Sequence, residues 1–211
     1  MARCLIFCAG GFDGLLDKPG AQDYVIAADG GYTHVQELGL SADCVLGDFD
    51  SLGHVPTRAR VFPVKKDDTD AMLAVRRGLE LGYDRFLIYG SLDGPRLEHT
   101  VANFQLLQYL ADRGAVGWLI GKTAVVTLVK NGTVTFGPEA EGYLSVFCMG
   151  PDAKKVSIRG AEYPLEDGTL SAGFPLGVSN RFTGQPVQVQ VGDGSLLVIY
   201  DRKNGLCEVV M

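Results

Sequence analysis

Cys44-Val45-Leu46-Gly47-Asp48-Phe49-Asp50-Ser51 is the stretch on which the reading of this chain turns. Its first three residues are apolar and read as the end of a buried strand. Gly47 then lets the backbone turn tightly. Asp48 and Asp50 are two apart, so in extended backbone they point to the same side. Two carboxylates thus converge at the C-terminal end of a strand, where open α/β sheets bind ligands. A second cluster follows at Lys65-Lys66-Asp67-Asp68-Thr69-Asp70. Carboxylates brought together repel unless a cation joins them. Mg²⁺ holding a polyphosphate meets that need, because it takes oxygen ligands and few carboxylates. A lone Asp-x-Asp reads more plainly as a solvated turn with an Asp capping the next helix. Two such clusters, each at a strand-to-helix junction, favour the metal.

The surrounding sequence alternates strands and helices. Residues 4–9 form an apolar run ending at Gly10-Gly11, a tight turn or a place where a phosphate approaches the backbone. Residues 24–28 are a second buried strand, ending in Asp29-Gly30-Gly31. A short helix follows over 32–39, with Gly39 as its stop. Asp29 reads equally as a site carboxylate and as the N-cap of that helix. His34 lacks a second His or Cys at ligand spacing and reads as packed or surface-polar. Residues 44–46 and 60–64 are the third and fourth strands, and 86–89 the fifth. Thr69 or Asp70 opens a helix over 71–82, with Met72, Val75 and Leu79 at helical spacing. A loop from Gly90 to His99 leads to a helix over 100–111, with Val101, Phe104, Leu107, Leu110 and Ala111 expected on its core face. Residues 116–120 are a sixth strand. This alternation implies a mostly parallel sheet with helices on both faces. Asp29, Asp48, Asp50, Asp70 and Glu98 then share one rim, the convergence expected of an active site.

The pattern changes after Gly121. Residues 124–129, Asn131-Gly132 and residues 133–136 carry the signature of a β-hairpin. Short β-rich runs continue at 143–148, 155–158, 184–191 and 195–200, with Gly192-Asp193-Gly194 expected as a turn. No segment of helical period appears. The expected organisation is an α/β, Rossmann-like, mostly parallel domain over residues 1–122 and a small β-sandwich over 123–211.

Composition narrows the function classes. The chain has 211 residues, 46% of them hydrophobic, enough for a real core. Its net charge of −6 and lack of a basic stripe argue against nucleic-acid binding. Five cysteines, an odd number without Cys-x-x-Cys, suggest buried thiols in a reducing, cytoplasmic setting. The N-terminal apolar run is too short for a secretory signal, and no window reaches membrane-spanning length.

Taken together, these pieces resemble the thiamine pyrophosphokinase family. They occur in the family's order: Ala28-Asp29-Gly30-Gly31, Gly47-Asp48-Phe49-Asp50-Ser51, Lys65-x-Asp67-x-Thr69-Asp70, Arg96-Leu97-Glu98-His99-Thr100-Val101-Ala102-Asn103, then Gly177-Val178-Ser179-Asn180 and Leu196-Leu197. The resemblance spans nearly the whole chain. It implies an α/β nucleotide-binding domain joined to a β-sandwich that binds thiamine and dimerises. It implies a homodimer with the active site at the subunit interface. The implied reaction moves the β,γ-diphosphate of ATP to the hydroxyl of thiamine and releases AMP. One departure stands out: the family usually has Arg-x-Asp-His where this chain has Arg96-Leu97-Glu98-His99. Glu98 keeps the charge but adds a methylene, so a thiamine pocket there must be reshaped.

Diphosphate transfer needs in-line positioning and charge neutralisation. Asp48, Asp50 and Asp70 are the candidate Mg²⁺ ligands. One of them, or Asp67, accepts or orients the hydroxyl proton. Arg96 is either a phosphate clamp or the partner of a neighbouring acid in a surface ion pair. Asn103 either meets the nucleotide or caps backbone. Asp29, Gly30 and, by the resemblance, His99 belong to the nucleotide site, while Ser179 and Asn180 supply hydrogen bonds to thiamine near Glu98. Without the resemblance, Ser179-Asn180 reads as a turn. The competing readings are the same fold acting on another alcohol, such as a hydroxymethyl-pterin, and a sensor without turnover.

Overall fold

The computed structural model describes residues 2–47, the backbone of 60–61, and residues 68–211. Asp48, Asp50 and Asp67 lie outside the described residues, as do residues 62–64 of the expected fourth strand. The chain is mixed α/β, rich in strands, with three α-helices among the described residues. It separates into two compact units, Met1–Leu106 with Leu119–Lys122, and Leu107–Trp118 with Thr123–Met211.

The first unit begins with β1 (Cys4–Phe7), whose four side chains are wholly buried. Such a run belongs to a central parallel strand covered on both faces. Then come β2 (Tyr24–Ala28), α1 (Gly31–Glu37), β3 (Cys44–Gly47), β4 (Arg60–Val61), α2 (Asp70–Glu80) and β5 (Arg85–Tyr89). All pairings among these strands are parallel, in the order β5-β1-β2-β3-β4. The chain leaves β1 toward β2 on one side and returns as β5 on the other. That reversal opens a crevice at the strands' C-terminal ends.

The β1–β2 connection, residues 8–23, contains no helix or strand. Arg3 clasps it. The guanidinium pairs with Asp17, donates to Asp23 (Nη2–Oδ2 2.6 Å) and to the Lys18 carbonyl (3.1 Å). Asp23 also accepts from the Gly20 N–H (2.9 Å). Burial alone would raise the Asp23 carboxyl, but the bonds from Arg3 and the backbone outweigh it and hold the group below its usual range.

Helix α2 starts where its caps dictate. Thr69 accepts from the Met72 N–H (3.2 Å), and Asp70 stands in the first turn, where its charge suits the helix dipole. The buried face carries Ala74, Val75 and Gly78; Met72 and Leu79, expected there too, are only half-buried. Helix α3 (Leu97–Ala111) begins one turn earlier than expected. Val101, expected in the core, is 50% exposed. The buried stripe is Asn103, Leu106, Leu107 and Leu110, and Val101 lies on the opposite side of the helix from Asn103. The polar residue within that stripe hid it from a hydrophobicity count. Strand β6 (Val116–Ile120) is fully buried, as its apolar run requires.

The second unit is antiparallel. Its strands are β7 (Ala124–Lys130), β8 (Thr133–Phe136), β9 (Tyr143–Arg159), β10 (Leu165–Leu170), β11 (Gly177–Arg181), β12 (Val187–Asp201) and β13 (Glu208–Val210). The expected hairpin at Asn131-Gly132 does not form. Strands β7 and β8 instead follow one another along the same side of β12: Ala124–Lys130 opposes Asp201–Ser195, and Thr133–Phe136 opposes Gln190–Val187. Asn131 does take a positive φ of 49°, as its type allows. Its Oδ1 then accepts from the Gly194 N–H (2.9 Å), so the left-handed residue kinks a strand without reversing it. Gly192-Asp193-Gly194, expected as a turn, is likewise interior to β12, where the register with β9 shifts. The runs 143–148 and 155–158 join into the single strand β9.

Strand β12 is paired on both sides, with β9 along nearly its whole length and with β7 and β8 opposite. The core gathers around Val134, Phe136, Val189, Leu196, Val198 and Tyr200. Phe136 meets Phe182 and Tyr200 edge to face, with ring centroids 5.0 and 4.8 Å away. Phe182 is therefore a packing residue, whereas Tyr163 is exposed. All five cysteines are described and none forms a disulfide. No described helix is long and apolar enough to cross a membrane.

Candidate active site

A cleft of about 350 Å³ lies at the C-terminal rim of the first unit's sheet. Its walls come from the ends of three adjacent strands: Cys8, Ala9 and Gly10 after β1, Ala28 and Asp29 at the end of β2, and Gly90 and Ser91 after β5. Thr69, Asp70 and Ala71 at the start of α2 form another wall, with Pro95, Arg96, His99, Thr100 and Asn103 at the start of α3. This is the crevice that the strand order creates.

Close backbone approach builds the rim. Gly31 opens α1 directly against β1; a Cβ there would overlap the Phe7 carbonyl oxygen. Gly10 donates its N–H to the Gly90 carbonyl (2.9 Å), and a side chain at either position would strike backbone of the other loop. Gly11 donates to the Asp93 carbonyl (3.1 Å), and Asp93 Oδ2 accepts from the Lys122 N–H (2.7 Å).

Asp29 has φ 49°, a left-handed conformation that a non-glycine residue holds only when its surroundings fix it. Its N–H donates to the Leu46 carbonyl (2.8 Å). The N-cap position of α1 is Gly30, one residue beyond Asp29. Strand β3 ends at Gly47, packed against the Asp29 backbone, and Asp48 is the next residue. Asp70 faces the same cleft from α2. Burial, with the Asp70 charge added, pushes the Cys8 thiol up to about 12, so it stays protonated at neutral pH and is no nucleophile.

Arg96 and Glu98 form an exposed ion pair (Nε–Oε1 2.7 Å), the plainer of the two readings for Arg96. That bond holds the Glu98 carboxyl below its usual range. Arg96 lines the cleft; Glu98 does not. Asn103 is buried and donates Nδ2 to the Ser91 carbonyl (2.7 Å), while Thr100 donates to the Leu92 carbonyl (3.1 Å). Both pin the β5–α3 loop, so Asn103 takes its backbone-capping role here. Thr69, Ser91 and Thr100 are cleft residues that the motif reading did not assign to the site. A hydroxyl at a strand or helix end carries no signal of its own in sequence.

Ser179 and Asn180 lie on β11 in the second unit. Ser179 is exposed, has φ 59° and donates its N–H to Ser145 Oγ (3.0 Å). Asn180 is buried at 4% exposure. Its Oδ1 accepts from the Tyr163 and Arg181 N–H groups (2.9 and 2.8 Å), and its Nδ2 donates to the Tyr163 carbonyl (2.7 Å). Three of its four hydrogen-bonding valences are thus committed to backbone. Among the described residues no group of three or more potential metal ligands comes together.

Comparison with known proteins agrees with this arrangement. Residues 19–116 match the family model "Thiamin pyrophosphokinase, catalytic domain", and residues 133–196 match "Thiamin pyrophosphokinase, vitamin B1 binding domain". The chain is 26% identical over 183 residues to the thiamine pyrophosphokinase of Bacillus subtilis, covering 82% of this chain and 85% of that protein. The fold is shared with a crystal structure of thiamine pyrophosphokinase from the same organism, at TM-score 0.84 and 23% identity over 95% of this chain and 99% of the other. A thiamin pyrophosphokinase from Geobacillus thermodenitrificans superposes at TM-score 0.78 with 25% identity, over 95% and 97%. The Candida albicans protein does so at 0.72 with 14%, over 94% and 88%. With a catalytic-domain match in its first half and a vitamin-binding match in its second, the chain belongs to the thiamine pyrophosphokinase family.

Proposed function

We propose that the chain transfers the diphosphate of ATP to the hydroxyl of thiamine, giving thiamine diphosphate and AMP. The observation that carries this is the cleft at the strand-order reversal, lined by Asp29, Asp70, Arg96 and His99. The two family matches bear on the substrate. Both name thiamine, which leaves a pterin alcohol or a sensor without turnover the less favoured readings.

The domains are then a Rossmann-like, nucleotide-binding catalytic domain over residues 1–122, which contains all of the first unit and Leu107–Trp118 of the second, and a thiamine-binding β-sandwich over 123–211, the remainder of the second unit. ATP enters the cleft beside Asp29 and Gly30, with Asn103 fixing the loop that carries Ser91. Arg96 exchanges Glu98 for a phosphate oxygen, to which guanidinium binds in bidentate fashion. His99, one turn into the same region, adds a donor at the rim. Glu98, released from Arg96, is free to face the thiamine cation, and Ser179 offers its hydroxyl to the substrate from β11.

The donor set suits Mg²⁺. Asp70 supplies a carboxylate on the cleft wall, and β3 ends at Gly47 against the Asp29 backbone; by residue type, Asp48, Asp50 and Asp70 would make an all-oxygen set for the ion. When bound there, the ion neutralises charge on the phosphate oxygens during transfer. One of these carboxylates, or Asp67, would orient the attacking hydroxyl and take its proton. The active enzyme is a homodimer in which each cleft is completed by the other subunit.

The test is to incubate purified protein with Mg-ATP and thiamine and follow products by mass spectrometry. Thiamine diphosphate and AMP appearing together are expected. ADP with thiamine monophosphate, or no product from folded protein, refutes the assignment.

A further inference from the structure

We infer that His34, outside every motif that names the family, is a positioning residue for the nucleotide cleft. The inference rests on the reading of that cleft above. His34 Nε2 stands 3.0 Å from the Gly10 carbonyl oxygen. A carbonyl only accepts, so Nε2 carries the hydrogen and donates. Gly10 lines the cleft, and its N–H is already held by the Gly90 carbonyl. The Gly10 residue is therefore fixed from both sides: by β5's loop through its N–H, and by α1 through its carbonyl. Without His34 one of these two restraints is gone.

The imidazole is itself fixed. Its ring lies against Phe12, centroids 5.0 Å apart. Phe12 meets Tyr89 and Phe7 edge to face at 5.9 and 6.0 Å, and Phe7 stacks on Tyr89 at 5.2 Å. Nδ1 is buried, and the nearest carboxylate oxygen, on Glu37, is 3.8 Å away. The aromatic cluster, rooted in β1 and β5, thus sets the angle of the ring, and the ring sets the turn after β1. A donor held by packing positions its partner more tightly than one on a free side chain. The turn presents its backbone to whatever occupies the cleft, so its shape contributes to nucleotide affinity ahead of chemistry.

Two variants separate the donor from the ring. His34→Phe keeps the ring against Phe12 and removes the donor; His34→Gln keeps an N–H donor of similar reach. Binding of α,β-methylene-ATP with Mg²⁺ is measured by calorimetry, alongside steady-state kinetics and hydrogen exchange of the peptide spanning residues 8–13. His34→Phe is expected to weaken the analogue and raise KM for ATP by about tenfold, the scale of one net hydrogen bond. Turnover at saturation and KM for thiamine stay within about twofold. The Gly10 and Gly11 amides exchange about tenfold faster, while His34→Gln behaves as wild type. Wild-type affinity and exchange in His34→Phe, or equal loss in both variants, overturns the inference. If the wild type itself binds no nucleotide, the cleft assignment fails instead. Exchange then still decides whether His34 holds the turn.

Discussion

Asn180 offers the sharpest discrimination between a ligand contact and a structural brace. Replacing it with Ala removes one amide that makes three hydrogen bonds to backbone, from a side chain 4% exposed. Each bond is worth about 1 kcal/mol net, and the Tyr163 N–H and carbonyl are left without this partner. The Arg181 N–H is adjacent in sequence and regains solvent most easily, so the expected loss is about 2–4 kcal/mol. For a chain of this size, 1 kcal/mol moves the melting midpoint by about 2–4 °C, giving a fall of roughly 4–16 °C. Trp118, the one tryptophan, is fully buried in the second unit, so its fluorescence reports unfolding of the unit that contains Asn180. Asn180→Ala is expected to unfold earlier by that probe. Assayed well below its midpoint, it should keep a thiamine KM within about threefold of wild type. An unchanged midpoint combined with a thiamine KM raised tenfold or more would falsify the brace and return Asn180 to the substrate site.

Three further outcomes follow from the same structure. Asp70→Asn should leave the fold intact and cut turnover by about 10²–10³, measured as thiamine diphosphate formed per enzyme, because it removes charge from the cleft wall; near-normal turnover removes Asp70 from the metal set. Gly31→Ala should fail to fold or lose several kcal/mol, on the order of an overpacked core site, because its methyl meets the Phe7 carbonyl; a wild-type thermal midpoint would mean that α1 moves away from β1 at little cost. The Asp23 carboxyl is held below its usual range, so the folded state binds fewer protons there than the unfolded chain. Its contribution is present above about pH 4 and fades as pH falls through the folded value. Chemical denaturation from pH 6 to pH 3 should show a shallower stability loss in Asp23→Asn than in wild type, and parallel curves would contradict the clasp.

Much of the parallel half was legible because its strands are short, wholly apolar and ended by Gly or Asp. Residues 24–28 and 116–120 match β2 and β6 residue for residue, and Thr69 capped α2 as its side chain allows. The antiparallel half was harder to read for a physical reason. Asn131-Gly132 signals a left-handed residue, and Asn131 has one, but a positive φ does not determine whether the chain reverses or only kinks. That depends on the partner strand, here the Gly194 region, 63 residues further along the chain. Glycine within β12 misled in the same way. At the site, the motif residues Asp29, Asp70, Arg96, His99 and Asn103 do meet in one cleft. What sequence did not reveal was commitment: that Arg96 already holds Glu98, that Asn103 serves the Ser91 carbonyl, and that Asn180 is occupied by Tyr163. A side chain's type states what it can bond, and only its neighbours state what it has left.

Strand β12 is also a matter of timing. Every strand that it joins directly, β7, β8 and β9, precedes it in the chain. During synthesis these three emerge without the partner that pairs them, and their inward valines and leucines wait in the open. The second unit therefore closes only after β12 has emerged, through contacts of long sequence separation. Until then its unpaired edges are the part of the nascent protein most open to mispairing with another copy. A chain stopped just short of Val187 would make the whole first unit and none of the ladder that closes the second.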